Sequence, residues 1–150
     1  MDAAADDVAI RPFDRADTDD VLALWRDAFP EYGDTSAPHR DPLRSIEQKC
    51  ATQPELFFVA TLHGRVVGTV MAGYDGHRGW LYSLGVGRGV RRAGVGRALV
   101  AHAEAALGAL GCLKVNLQVL ADNAQARRFY ETIGYRVEEL VSFGKRLYAA

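Results

Sequence analysis

Between Val86 and Leu99 the chain reads VGRGVRRAGVGRAL, and no other stretch limits the possible folds so sharply. Trp80 to Val86 is a short aromatic and aliphatic run of strand type. From Val95 onward apolar residues return at helical spacing, at Leu99, Ala103, Leu107 and Leu110. Gly87, Gly89, Gly94 and Gly96 lie in the connection between strand and helix. Glycine lets a backbone turn sharply with its N–H groups uncovered, and a helix start adds unpaired donors carrying roughly half a positive charge. Such a turn is an anion cradle suited to phosphate, and Arg88, Arg91, Arg92 and Arg97 add charge that can face the same anion. Read by spacing alone, the stretch also fits a tight turn with solvated arginines. Two nucleotide-binding variants do not fit. Arg97-Ala98 follows Gly96 where a Walker A loop needs Lys and Ser or Thr. A dinucleotide fingerprint belongs early in a βαβ unit, whereas at least three strands precede this loop.

A chain of 150 residues, 49% of them hydrophobic, suits a single domain over 1–150. Its net charge of −1 gives no broad field to attract nucleic acid or a membrane surface. The loop arginines are therefore a local feature, and the expected partner is a small anion. Cys50 and Cys112 make neither a disulfide framework nor a metal site, which fits a reducing cytoplasm. The opening MDAAADDV has no charged segment leading into an apolar one, and no uninterrupted apolar run approaches about 18 residues. Neither secretion nor a membrane span is expected.

Along the chain, residues 1–7 are small and acidic and read as a disordered tail. Val8 to Phe13 reads as an edge strand, and Asp17 or Thr18 as the cap of a helix through Val21, Leu22, Trp25 and Phe29, closed by Pro30. After a loop, Asp41-Pro42 starts a second helix through Leu43, Ile46 and Cys50. Leu56 to Leu62 and Arg65 to Tyr74 form a hairpin about His63-Gly64, and Asp75-Gly76 turns into the strand that leads to the cradle. The helix after the cradle ends at Gly108 or Gly111. Leu113 to Leu120 is the next strand, parallel to Trp80 to Val86 through a right-handed crossover. Its Asn116 and Gln118 either bond neighbouring loops or line a cavity. Asn123 caps a last helix carrying Ala126, Phe129, Tyr130 and Ile133, stopped by Gly134, and two strands over 135–137 and 140–148 close the sheet as a hairpin.

The order of strand, Arg91-x-x-Gly94-x-Gly96, helix, strand, and Asn123-x-x-Ala126-x-x-Phe129-Tyr130-x-x-x-Gly134-Tyr135 resembles the GNAT superfamily of acetyl-CoA-dependent N-acetyltransferases. The runs VVGTVMAGYDGHRG from Val66, YSLGV and SFGKRL are similar to the YpeA-type bacterial acetyltransferases, and the likeness covers Val8 to Tyr148. The resemblance implies a mixed α/β fold: a mostly antiparallel sheet with a parallel central pair splayed around the coenzyme. It also implies acetyl-CoA as cosubstrate, a primary amine of a small molecule or peptide as acceptor, no nucleic acid or membrane partner, and a fold that admits a homodimer.

Carried over residue by residue, the likeness lays the pantetheine along Leu84 and Val86. The pyrophosphate falls on the N–H groups of Arg91, Arg92, Gly94, Val95, Gly96 and Arg97, with Arg91 at the family's Arg/Gln position and Asn123 as a further coenzyme contact or a helix cap. A backbone N–H in the strand polarises the carbonyl, and Gly85 beside Leu84 suggests a bulge there. Tyr130, at the family's tyrosine position near the coenzyme sulfur, is the candidate acid; its spacing alone, on one face with Ala126, Phe129 and Ile133, reads instead as core. Ribosomal-protein N-terminal acetyltransferases have a glutamate at the position matching Gln118, which cannot take a proton. The base is then Asp75, His77, a bound water, or no side chain at all. Asp75 and His77 lack further ligands at metal-binding spacing. A non-catalytic acyl-CoA-binding sensor, motivated by the missing glutamate, is the alternative. A nucleic-acid module using the loop arginines lacks the interleaved aromatics it would need.

Overall fold

The structure is a computed structural model that describes residues 7–33, 37–91 and 93–149. Arg92 and residues 1–6 of the expected tail lie outside the described residues. The chain divides into two compact units, one ending at Gln118 and one beginning at Val119.

The first unit is built on a five-stranded sheet in the order β1 to β5. β1 (Val8–Pro12) is an edge strand, and its closing proline costs no central ladder bond. Phe13 continues past it, bonding the Phe57 carbonyl at 2.8 Å and stacking on the Phe57 ring. α1 (Thr18–Ala28) follows, but Asp17 does not cap it through its side chain as expected. Arg11 binds the Asp17 carboxylate with two bonds of 2.8 Å, and the Asp14 N–H donates to it at 2.9 Å. A bidentate guanidinium outcompetes a helix N–H for one carboxylate, and it holds the Asp17 pKa below its ordinary value. Asp14 instead caps the short 3-10 turn Arg15–Asp17.

α2 (Pro42–Ala51) begins where its signals place it, with Asp41 accepting from the Leu43 N–H. β2 (Phe57–Leu62) and β3 (Arg65–Tyr74) are antiparallel neighbours about His63 and Gly64, whose φ values of 51° and 78° give the left-handed pair that such hairpins need. β4 (Gly79–Val86) pairs antiparallel with β3, α3 (Val95–Ala109) crosses over, and β5 (Val115–Leu117) pairs parallel with β4. Gly111, at φ 93°, is the left-handed residue past the end of α3, and Gly108 stays inside the helix. Among the described residues no helix is long and apolar enough to cross a membrane.

Val21 and Trp25 of α1, Ile46 of α2, Phe57, Val59 and Met71 form one buried cluster. On α3, Val95, Leu99, Val100, Ala103 and Leu107 are buried. α3 lies so close to β3 that a Cβ on Gly68 would sit 2.9 Å from Leu99 Cδ1. Leu99 is 0% exposed, and Leu99→Ala should lower the unfolding free energy by about 2–5 kcal/mol, read from the urea midpoint at unchanged slope. A loss under about 1 kcal/mol would contradict this account of the packing.

Two expected elements differ. The fifth strand was expected over Leu113 to Leu120, yet β5 covers only Val115–Leu117, because β4 offers partners only at Gly79, Trp80 and Leu81. The second unit holds α4 (Ala124–Thr132) and, beyond it, irregular chain where the closing hairpin was expected. Phe143 and Leu147 there are 94% and 92% exposed. Alternating apolar residues make a strand only when a neighbour covers them, and a lone hairpin is marginal in water.

Candidate functional site

β4 carries the sharpest irregularity of the sheet. Thr69 faces Gly85 and Met71 faces Tyr82, so Val70 alone stands opposite both Ser83 and Leu84. That two-against-one count is a β-bulge, which bends the strand and leaves a residue outside the ladder. Ser83 turns the corner in the left-handed region, at φ 52°. The bulge expected at Leu84 and Gly85 thus takes in Leu84 with Ser83, and not Gly85. Gly85 stays paired with Thr69, and its missing side chain serves another purpose: a Cβ there would lie 3.0 Å from Phe29 Cζ. Just before the bulge, the β4–β5 ladder among the described residues ends, at Leu81 and Leu117. Beyond Leu81, β4 keeps its ladder with β3 apart from the bulge, and Leu84 and Val86 are half-buried along it.

Past β4 the backbone is anchored by Gly87 N–H on the Val67 carbonyl at 2.8 Å and then forms a short 3-10 turn, Arg88–Val90, whose Val90 is buried. Arg91 folds back to donate from Nε to the Val86 carbonyl at 3.2 Å, and Arg88 meets Asp27 at 3.3 Å. Gly94 starts α3 at φ 80°, with open space where a Cβ would stand. Gly94, at the N-cap position, brings no side-chain oxygen to this helix start. The N–H groups of the first turn, Val95, Gly96 and Arg97, thus take no cap from Gly94 and can receive an anion where the dipole is positive. The donor set fits a phosphate group.

In the second unit, Asn123 Oδ1 accepts from the Ala126 N–H at 3.0 Å and caps α4. Tyr130 is half-buried, with the Phe129 and Tyr135 rings at 5.1 and 5.7 Å. Burial pushes its hydroxyl pKa up to about 12, so it carries its proton throughout the neutral range. Gly134, at φ 98°, ends the helix.

Asp75 and His77 lie on the exposed turn between β3 and β4. The Asp75 carboxylate accepts from the Arg78 and His77 N–H groups at 2.7 and 2.8 Å, and these bonds hold its pKa below the ordinary value. It is a turn-holding carboxylate. Gln118 ends the first unit, just past β5.

Sequence reasoning missed a polar chain behind the bulge. Trp25 Nε1 donates to Thr69 Oγ1 at 2.8 Å, Thr69 Oγ1 donates to the Ser83 carbonyl at 2.9 Å, and the Ser83 and Tyr32 hydroxyls share a bond of 3.2 Å. Thr69 is wholly buried. A polar residue inside the apolar run VVGTVMA needs a partner, and that was the available signal; nothing in the sequence marks Ser83 as left-handed. Lys49 was missed as well. Its Nζ donates to the Ala72 carbonyl, and burial lowers its pKa.

Residues 18–135 match the model of the acetyltransferase (GNAT) family. An acetyltransferase of Yersinia enterocolitica is 42% identical over 138 residues, covering 92% of this chain and 94% of the relative. The fold is similar to that of the aminoglycoside antibiotic 6'-N-acetyltransferase of Acinetobacter haemolyticus, with a TM-score of 0.73 at 22% identity over 93% of this chain and 99% of the other. It is also similar to a PaiA N-acetyltransferase of Thermoplasma acidophilum solved with coenzyme A, with a TM-score of 0.76 at 18% identity over 89% of this chain and 92% of that one.

Proposed function

Since the chain belongs to the acetyltransferase (GNAT) family, we propose that it moves the acetyl group of acetyl-CoA to a primary amine of a small molecule or a protein N-terminus. The observation that carries the reading is a juxtaposition within one unit. A strand interrupted by a bulge runs through a glycine loop into a helix whose N-cap residue, Gly94, brings no side-chain oxygen.

Acetyl-CoA supplies an activated thioester and, at its far end, a pyrophosphate. The α3 N–H groups of Val95, Gly96 and Arg97, with Arg91 beside them and Gly94 leaving the approach open, bind the anion. Arg92 is assigned the same role. Leu84 and Val86 line the pantetheine arm, and backbone N–H groups turned out of the ladder at the bulge bind the carbonyl oxygen, where they need no reorganisation as negative charge gathers. Tyr130 holds a proton for the departing sulfur, and Asn123 orders the first turn of its helix.

A base is the remaining requirement. Asp75 is poorly suited, since two N–H bonds stabilise its charged form and keep it from binding protons near neutrality. His77 stays a candidate. We assign the amine's proton to water, or to an acceptor arriving neutral. The acidic limb of kcat/KM should then follow the amine's own pKa for two acceptors that differ by about two units. His77→Gln and Asp75→Asn should leave that limb in place. A limb fixed near pH 6–7 across acceptors and lost in one variant would name that residue as the base instead.

The acceptor class is tested by coenzyme A release, corrected for hydrolysis, over polyamines, amino acids, aminoglycosides and N-terminal peptides. Tight acetyl-CoA binding with no amine-dependent release would support the sensor reading. The exposed apolar residues Val137, Leu140, Val141, Phe143 and Leu147 support a homodimer, which light scattering of the purified protein tests. A bacterial cytoplasm is the compartment in which this cosubstrate and two unpaired cysteines would coexist.

A further inference from the structure

Ser83 is held in a conformation that L-residues avoid, inside a strand, and such strain persists only where the surroundings impose it. Two contacts impose it here. From below, the buried Thr69, itself fixed by Trp25 Nε1, donates to the Ser83 carbonyl at 2.9 Å. From above, the Tyr32 hydroxyl meets the Ser83 hydroxyl at 3.2 Å. Tyr32 belongs to the short turn Pro30–Gly33 after α1, and its ring packs on Trp25 and Phe29 at 5.6 and 5.2 Å. Phe29 in turn closes over Gly85 on the far side of the bulge. The lower contact fixes the carbonyl end of Ser83. The upper one fixes its side chain, and with it the corner that aims the following N–H groups.

We propose that Tyr32 is a positioning residue for acetyl transfer: through its hydroxyl bond to Ser83 it holds the β4 bulge in the orientation that grips the thioester carbonyl. The inference rests on the proposed acetyl-CoA reading, and it assigns Tyr32 no contact with the substrate. Burial raises the Tyr32 pKa, so the hydroxyl keeps its proton for this bond at neutral and mildly alkaline pH.

Two variants separate positioning from folding. Tyr32→Phe removes the hydroxyl and keeps the ring packing. Ser83→Gly removes the hydroxyl and also the strain, because glycine enters the left-handed region freely, so this variant should melt no lower than the wild type. Each should lower kcat roughly tenfold, less than the roughly 10²- to 10³-fold expected for deleting a carbonyl-binding donor outright, with KM for acetyl-CoA within about twofold. The double variant should fall no further than either single one, because both cut one bond. A readout independent of turnover is the infrared carbonyl band of bound carbonyl-¹³C-labelled acetyl-CoA. It should lie below the free value in the wild type and return toward it in both variants. An unshifted variant band, with kcat within twofold of wild type, would overturn the positioning role alone. A wild type that shows no bound band would overturn the acetyl-CoA reading and the positioning role together.

Discussion

Replacing Gly96 by glutamate is expected to remove acetyl-CoA binding from a protein that remains folded. Gly96 is the second residue of α3, whose first turn takes no side-chain cap from Gly94. A carboxylate in that turn interacts favourably with the helix dipole, by about 0.3–1 kcal/mol, so the helix should be at least as stable. The same carboxylate occupies the place assigned to the pyrophosphate. Two like charges about 4 Å apart near a protein surface repel by about 4 kcal/mol, which corresponds to a roughly 10³-fold loss of affinity. Calorimetric titration with acetyl-CoA, beside a melting curve, checks both halves. Wild-type affinity in the folded variant would remove the pyrophosphate from this loop.

Tyr130→Phe should cost less in binding and more in turnover. The ring contacts with Phe129 and Tyr135 survive the change, so acetyl-CoA affinity should stay within about twofold. A general acid contributes about 10²- to 10⁴-fold, and the structure favours the lower end. Burial pushes the Tyr130 pKa up to about 12, above the range of an ordinary thiol, so complete proton transfer to a free thiolate is uphill. Tyr130 is expected to act chiefly by donating a hydrogen bond to the sulfur as charge develops on it. A fall in kcat of about 10² is predicted, and a kcat within about threefold of wild type would return Tyr130 to a packing role.

The parts of this fold legible in the sequence are those with local causes. Asp41-Pro42 caps α2, His63-Gly64 makes the hairpin, and Gly111 and Gly134 end their helices because each signal acts on the backbone within a few residues of itself. The parts that were not legible depend on partners distant in sequence. Asp17 looks like a cap until Arg11 claims its carboxylate, and Gly85 looks like the bulge until Phe29 is found occupying the space beside it. Leu113 has strand character, but β4 provides a ladder only from Gly79 to Leu81. In the candidate site, the glycine loop and the start of α3 were readable because the signals for both lie within a few residues. Ser83 and Tyr32 were not, since their bond joins residues 51 positions apart.

The central claim is that the acetyl group leaves a thioester and arrives on nitrogen. The most direct measurement is the mass of the acceptor after incubation with labelled acetyl-CoA, followed by treatment with alkaline hydroxylamine, which cleaves acetyl esters and thioesters and spares amides. The account predicts one labelled acetyl per acceptor amine, resistant to hydroxylamine and absent with the Gly96→Glu protein. Label recovered only as acetate, at a rate indifferent to every amine supplied, would contradict it.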